Sequence, residues 1–250
     1  MGLTAQRTRR LTGLALAALF LSSGAANASV ITYTVDVGSG NTEEKATATF
    51  TTSLNLVTIA VQNLLVNQRA AGQNVSDLFF KLDTGQSSGS VTSGTGTSRT
   101  VADNGTFTDG GTLDAGWGFS FVAGNGAATG FHLDGLNGAT STPAHTLLGS
   151  PDGGNVYSYA DSSIAKTGGP HNPFIAGTLT FQLAIAGVTV DSKISQATFS
   201  FGTTSGDNQP GTPFTSVPEP GTMTLAAVGL VGLGLMRLCT IRRKSQSAKP

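Results

Sequence analysis

The chain predicts an all-β fold, a β-sandwich or jelly-roll-like domain, and three observations carry that prediction. Apolar and polar residues alternate over many short runs. Gly-rich turn signals separate those runs, and no stretch of the central region shows a convincing 3.6-residue period. Period-2 alternation buries one face of a strand and leaves the other in water, so many such runs between tight turns describe stacked sheets.

In chain order, "ITYTVDV" puts Ile31, Tyr33, Val35 and Val37 on one face, with Thr32, Thr34 and Asp36 on the other. "KATATF" repeats the pattern with Ala46, Ala48 and Phe50, and "VTIAV" with Val57, Ile59 and Val61. "WGFSF" aligns Trp117, Phe119 and Phe121. "GTLTFQLAIAGVTV" aligns Leu179, Phe181, Leu183 and Ile185, and "QATFSF" aligns Ala197, Phe199 and Phe201. Only "LVTIAVQNLLVNQRA", 56–70, could pass for a helix, and its β-branched residues favour a strand in the first half. Turn signals stand at 38–41, 109–111, 134–138 and 151–155. Residues 84–112 are nearly free of large apolar side chains and read as a low-complexity loop, a frayed hairpin or a linker. The β-rich body is therefore bounded at 29–201, with 202–217 as a flexible stalk.

The zero net charge hides a segregation. Residues 1–28 carry Arg7, Arg9 and Arg10 and no acid, and residues 218–250 carry five bases against Glu219 alone. The remaining six bases and thirteen acids leave 29–217 mildly acidic, which argues against a nucleic-acid partner. The only cysteine, Cys239, lies outside that body, so no disulfide framework or thiolate metal site is available to it.

Residues 1–28 read as a secretory signal peptide. Three arginines form the charged region and Leu11 to Leu21 the apolar one. Ala26 and Ala28 are then placed for signal-peptidase cleavage before Ser29. At the other end, about 221–241 form an apolar, Gly-rich run with one charge, Arg237. At about 1.5 Å per residue it roughly matches the hydrocarbon core of a bilayer. Arg242, Arg243 and Lys244 follow, and such a basic cluster stays cytoplasmic, placing 245–250 inside and the body outside.

Pro218-Glu219-Pro220, the Gly/Ala/Leu-rich helix and the basic cluster, in that order, resemble the PEP-CTERM sorting signal of Gram-negative bacteria, here spanning 218–244. The resemblance implies an exosortase that cuts at or beside Pro-Glu-Pro, transient membrane anchoring, and delivery of the body to the cell surface or matrix of an exopolysaccharide producer. "NLLVNQRAAGQNVSDLFFKLDTG", 63–85, is similar to a segment found in many bodies of that family.

No catalytic residue, metal ligand or cofactor is expected. His132, His145 and His171 sit beside glycine or proline turns with no HExxH spacing, and read as solvated loop histidines. Asp134 in "HLDG" reads as a turn aspartate. Asp103, Asp109, Asp114 and Asp152 offer oxygen ligands to a hard cation, but turn chemistry explains them without one. Tyr33, Trp117, Tyr157 and Tyr159 would stack on sugars if exposed; the alternation favours core packing for Trp117, and a shared face for Tyr157 and Tyr159. Three functions follow in order of preference. They are a non-enzymatic surface or exopolysaccharide-associated structural protein, a carbohydrate-binding or adhesive sandwich, and a secreted hydrolase.

Overall fold

The computed structural model describes residues 28–122, 129–136, 145–203 and 208–214. The expected signal peptide, the 221–241 span and the Pro-Glu-Pro and basic clusters lie outside these, apart from Ala28 and from Ser29, which opens the first strand.

The all-β expectation holds. The strands are β1 (Ser29–Val37), β2 (Glu44–Ser53), β3 (Leu56–Asn63), β4 (Val75–Leu82), β5 (Ser90–Val101), β6 (Phe107–Asp114), β7 (Gly118–Val122), β8 (Gly130–Asp134), β9 (Leu147–Leu148), β10 (Phe174–Ala184), β11 (Ile194–Phe201), β12 (Asn208–Pro210) and β13 (Thr212–Phe214). The helical pieces are single 3-10 turns at Gly40–Thr42 and Ala71–Gln73. The alternation that identifies the strands sets their burial: along β2 every second residue, from Glu44 to Thr52, is buried.

The strands form two layers around one core. The first runs β13-β1-β2-β3-β10-β5-β6, antiparallel throughout. The second runs β12-β11-β4-β8-β7, also antiparallel. Two connections close the gaps between layers. The short β9 pairs parallel to β10 and antiparallel to β4. On the other side, β12 and β13 are consecutive in the chain but belong to opposite layers. Gly211 makes that crossing, because a Cβ there would fall 2.9 Å from the Phe199 ring and 3.1 Å from Tyr33 Cβ.

A chain of aromatic rings crosses the interior. Tyr33 meets Phe50 edge-on at 6.0 Å, Phe50 meets Phe80 at 5.4 Å, and Phe80 meets Phe131 at 5.5 Å. Phe131 in turn stacks on Phe119 and takes Phe121 edge-on. Phe50 and Phe80 belong to opposite layers, as do Trp117 and Phe181, whose rings are 5.3 Å apart. Tyr33 Oη donates to the Ile194 carbonyl across the same gap, so the one polar atom of that ring is satisfied.

Four sequence expectations are revised here. Residues 84–112 are mostly the long ribbon β5–β6, a twelve-residue strand against an eight-residue one, so of the loop, hairpin and linker readings the hairpin is the one found. Small residues there follow from close packing: Gly94 and Gly96 of β5 lie against Phe181 and Ile175. The turn is at 102–106, where Ala102 N–H donates to the Thr106 carbonyl, so Asp109-Gly110-Gly111 falls inside β6. The supposed stalk contributes β12 and β13, which extends the folded body to at least Phe214. Finally, Tyr157 and Tyr159 share no face: Tyr157 is buried and Tyr159 is exposed.

Tyr157 belongs to a satellite core with Ala71, Val101, Leu148, Ile164 and Phe174, under the irregular chain from 149 to 173. Arg99 clamps it from the ribbon. Its guanidinium lies 3.8 Å over the Phe107 ring, donates to Tyr157 Oη and forms a two-pronged pair with Asp109.

The segment 63–76 is held by buried amides. Asn63 Nδ2 donates to the Gln73 and Leu147 carbonyls, Gln73 Nε2 donates to the Gly40 and Glu43 carbonyls, and Gln68 Nε2 donates to Asn74 Oδ1. Asn74 Nδ2 then donates to Thr146 Oγ1. This network ties β3, the 3-10 turn, β4 and β9 together beside the single Val75–Leu147 pair of β4 and β9. Asn74→Ala would strip an acceptor from Gln68 and a donor from Thr146 in a dry site, at an expected cost of about 2–4 kcal/mol. A lowered urea midpoint at unchanged slope is the expected observation. Asn74 is fully buried, so its N-x-S sequon is closed to any modifying enzyme in the folded chain.

Candidate functional site

β4 is a central strand of the second layer, flanked by β11 and β8. Leu78 and Phe80 point into the core, so period 2 sends Asp77 to the opposite, outer face. On β8, Phe131 and Leu133 are inside, which puts His132 and Asp134 outside. The register sets Asp77 directly opposite Asp134, with His132 one diagonal step away, facing Phe79 and Ser120.

These three side chains converge. His132 Nε2 lies 2.7 Å from both carboxylate oxygens of Asp77, and its hydrogen bond is directed at Oδ2. Asp77 Oδ1 is buried and takes part in no hydrogen bond. Asp134 Oδ1 accepts from the Leu136 N–H at 2.7 Å. One ligand atom from each of Asp77, His132 and Asp134 fits within a 4.8 Å span. Asp77 is 9 % exposed and Asp134 8 %, while His132 is half-buried and reaches solvent. Gly135 lets the chain leave β8 flush against β4, since a Cβ there would fall 2.6 Å from the Ser76 carbonyl and 2.8 Å from Trp117 Nε1.

The electrostatics follow from burial and from this company. Loss of solvent pushes the Asp77 carboxyl up, the hydrogen bond and charge of His132 oppose the push, and the Asp134 charge adds to it. The hydrogen bond to Asp77 raises His132, burial lowers it, and the charges of both aspartates raise it further. His132 thus stands beside two carboxylates that face each other across the strand pair and would otherwise repel.

The reading of His132 as a solvated loop histidine is thus corrected, and Asp134 is more than a turn aspartate. The sequence signal was present: "FHLD" in β8 and "VSDLFF" in β4 each place a polar residue between core residues, the mark of an outer-face side chain. What the sequence could not supply was the pairing of two strands more than fifty residues apart. His145 is half-buried; its Nδ1 meets the Pro173 carbonyl at 2.5 Å, while Trp117 Nε1 donates to the His145 carbonyl. His171 lies in the turn before Pro173 and joins neither site.

The other acidic candidates carry turn and strand contacts. Asp103 Oδ1 accepts from Thr167 N–H, Asp109 pairs with Arg99, and Asp114 Oδ1 accepts from Gly116 N–H. Asp152 accepts from Gly154 N–H, Val156 N–H and Ser158 Oγ, and these hydrogen bonds hold its carboxyl below the ordinary value. Of the four aromatics considered for stacking, Tyr33, Trp117 and Tyr157 are buried; Tyr159 is exposed, with the Arg69 guanidinium 4.9 Å from its ring centre.

Ala26, Pro218, Glu219, Pro220, Arg242, Arg243 and Lys244 lie outside the described residues, so the processing and topology signals are known from sequence alone. No curated protein and no solved structure matches the chain. The family model of the PEP-CTERM protein-sorting motif matches residues 216–238, beginning two residues before Pro218. The chain therefore carries a PEP-CTERM protein-sorting motif, which implies exosortase recognition, export and surface sorting in a Gram-negative bacterium.

Proposed function

We propose that this is a non-enzymatic structural protein of the cell surface or extracellular matrix, associated with exopolysaccharide. The observation that carries the reading is the sorting motif at 216–238, which sends the body outside the cell. The body's character supports it: acidic, rich in Ser, Thr and Gly, and free of thiols over 29–217. Its stability rests on burial in a main core and a satellite core, which needs no redox partner outside the cell. In this reading a signal peptide ending at Ala28 opens the export route. A helix over about 221–241 holds the chain in the membrane until an exosortase acts near Pro218-Glu219-Pro220.

The aromatics bear on the carbohydrate-binding alternative. A stacking platform needs several exposed rings on one face, and burial of Tyr33, Trp117 and Tyr157 removes three of the four candidates. A matrix role is therefore preferred to a lectin-like one.

Fractionation of the producing bacterium tests the proposal. The protein is expected in the extracellular polysaccharide fraction, and enzymatic removal of that polysaccharide should release it. In an exosortase-deficient strain it should move to the membrane fraction. Recovery from the periplasm or cytoplasm in the wild type would overturn the reading.

A further inference from the structure

We propose that Asp77, His132 and Asp134 form a binding site for one divalent transition-metal ion, of the Zn2+ or Mn2+ kind, on the outer face of the β4–β8 strand pair. Four observations support it. The first is convergence: one ligand atom from each side chain fits within a 4.8 Å span. Metal–ligand distances of about 2.0–2.2 Å put neighbouring ligands of a tetrahedral ion about 3.3–3.6 Å apart, so an ion enters when the 2.7 Å His132–Asp77 pair opens and the wider separations close by side-chain rotation.

The second is an under-satisfied oxygen. Asp77 is 9 % exposed, and its buried Oδ1 receives no directed hydrogen bond, only the 2.7 Å ion-pair contact with His132 Nε2, whose hydrogen bond goes to Oδ2. A buried carboxylate oxygen that shares one donor with its neighbour is left short of partners. A metal ion would satisfy it.

The third is charge. Two carboxylates stand opposite each other on paired strands, both more than nine-tenths buried, and one imidazole faces the pair. Like charges directly opposite destabilise a strand pair. A divalent cation between them would neutralise both carboxylates.

The fourth is rigidity. β4 is hydrogen-bonded on both sides, and β8 is held between β4 and β7. The ligands are thus fixed by backbone ladders and need no loop ordering, which lowers the entropic cost of binding.

The ligand set selects the ion. Ca2+ and Mg2+ take oxygen ligands, while an imidazole nitrogen beside carboxylates suits Zn2+ or Mn2+. Three protein ligands leave a further coordination position, and the solvent-reaching side of His132 supplies both water for it and a route in. The site does not depend on the sorting motif, and either can fail without the other.

The test uses the full-length chain with Cys239→Ser, so that the one thiol cannot supply a ligand. After treatment with a chelator, the protein is titrated with ZnCl2 and separately with MnCl2. One equivalent of at least one ion should bind, and the thermal midpoint should rise with its free concentration. His132→Gln and Asp77→Asn should each weaken binding by more than about 100-fold, the upper range for loss of a supporting group beside a metal. His171→Gln should leave binding unchanged. If the variants fold poorly, the parent answers alone: among three histidine imidazoles, the resonances of His132 should move on addition of Zn2+. Substoichiometric binding of both ions, unaltered His132 resonances, binding of Ca2+ only, or equal loss in His171→Gln would each overturn the proposal.

Discussion

Replacing Phe131 with alanine is expected to cost about 3–5 kcal/mol, the range for truncating a buried aromatic ring. Phe131 is 1 % exposed and touches three other rings at 5.3–5.5 Å: Phe80 of the same layer, Phe119 and Phe121. Through Phe80 it reaches Phe50 in the opposite layer. Removing it breaks that chain of rings in the middle and opens a void that strands held by ladders on both sides cannot collapse into. The loss should appear as a lower denaturant midpoint at an unchanged slope. Phe131→Leu, which keeps most of the volume, should cost markedly less. A loss below about 1 kcal/mol in the alanine variant would mean that β7–β8 is not integral to the core.

Most strands were legible because alternation is a local signal that survives without knowledge of the partner. "ITYTVDV", "KATATF" and "VTIAV" lie within β1, β2 and β3, and "QATFSF" within β11. The ribbon β5–β6 is legible only as one of three readings, for a physical reason. Its strands are built from Thr, Ser and Gly, and alternation cannot be seen when neither face is apolar. β5 is held instead by its ladder to β10, where Gly94 and Gly96 give way to Phe181 and Ile175, and by Arg99 clamped to Asp109 and Tyr157. The stalk was misread similarly: Asn208 to Phe214 looks like polar linker, and pairing with β11 and β1 makes it strand.

The site was less legible. His132 looked isolated because its partners come from a different part of the chain. Asp77 lies 55 positions earlier, and only the β4–β8 register brings the two together. Asp134, two positions on from His132, was visible, but a turn aspartate and a buried outer-face carboxylate look alike in sequence. The buried amides at Asn63, Gln68, Gln73 and Asn74 carried no signal either, since Gln and Asn ordinarily mark a solvated loop.

The second large effect concerns the sorting motif. Glu219→Ala, or Pro218→Ala with Pro220→Ala, leaves the apolar run and the basic cluster intact. The physical anchor should survive while recognition at Pro-Glu-Pro fails, because membrane insertion depends on hydrophobic length and flanking charge. Near-complete loss of surface delivery is expected, with the uncleaved chain retained in the membrane fraction. The retained tail of about 30 residues makes it about 3 kDa heavier, at the chain's mean mass per residue. Neutralising Arg242, Arg243 and Lys244 should act differently, misorienting part of the population before any cleavage. An unchanged surface yield in the Glu219→Ala strain would show that the motif is not read.

The most direct test of the central claim, that the chain is sorted and then cut free of its tail, is the intact mass of the native protein taken from the cell surface. The account predicts a species that begins at Ser29, ends between Val217 and Pro220, and still carries the complete β body through Phe214. A surface species that retains "RRKSQSAKP", 242–250, would contradict it and leave an anchored β domain that no exosortase has processed.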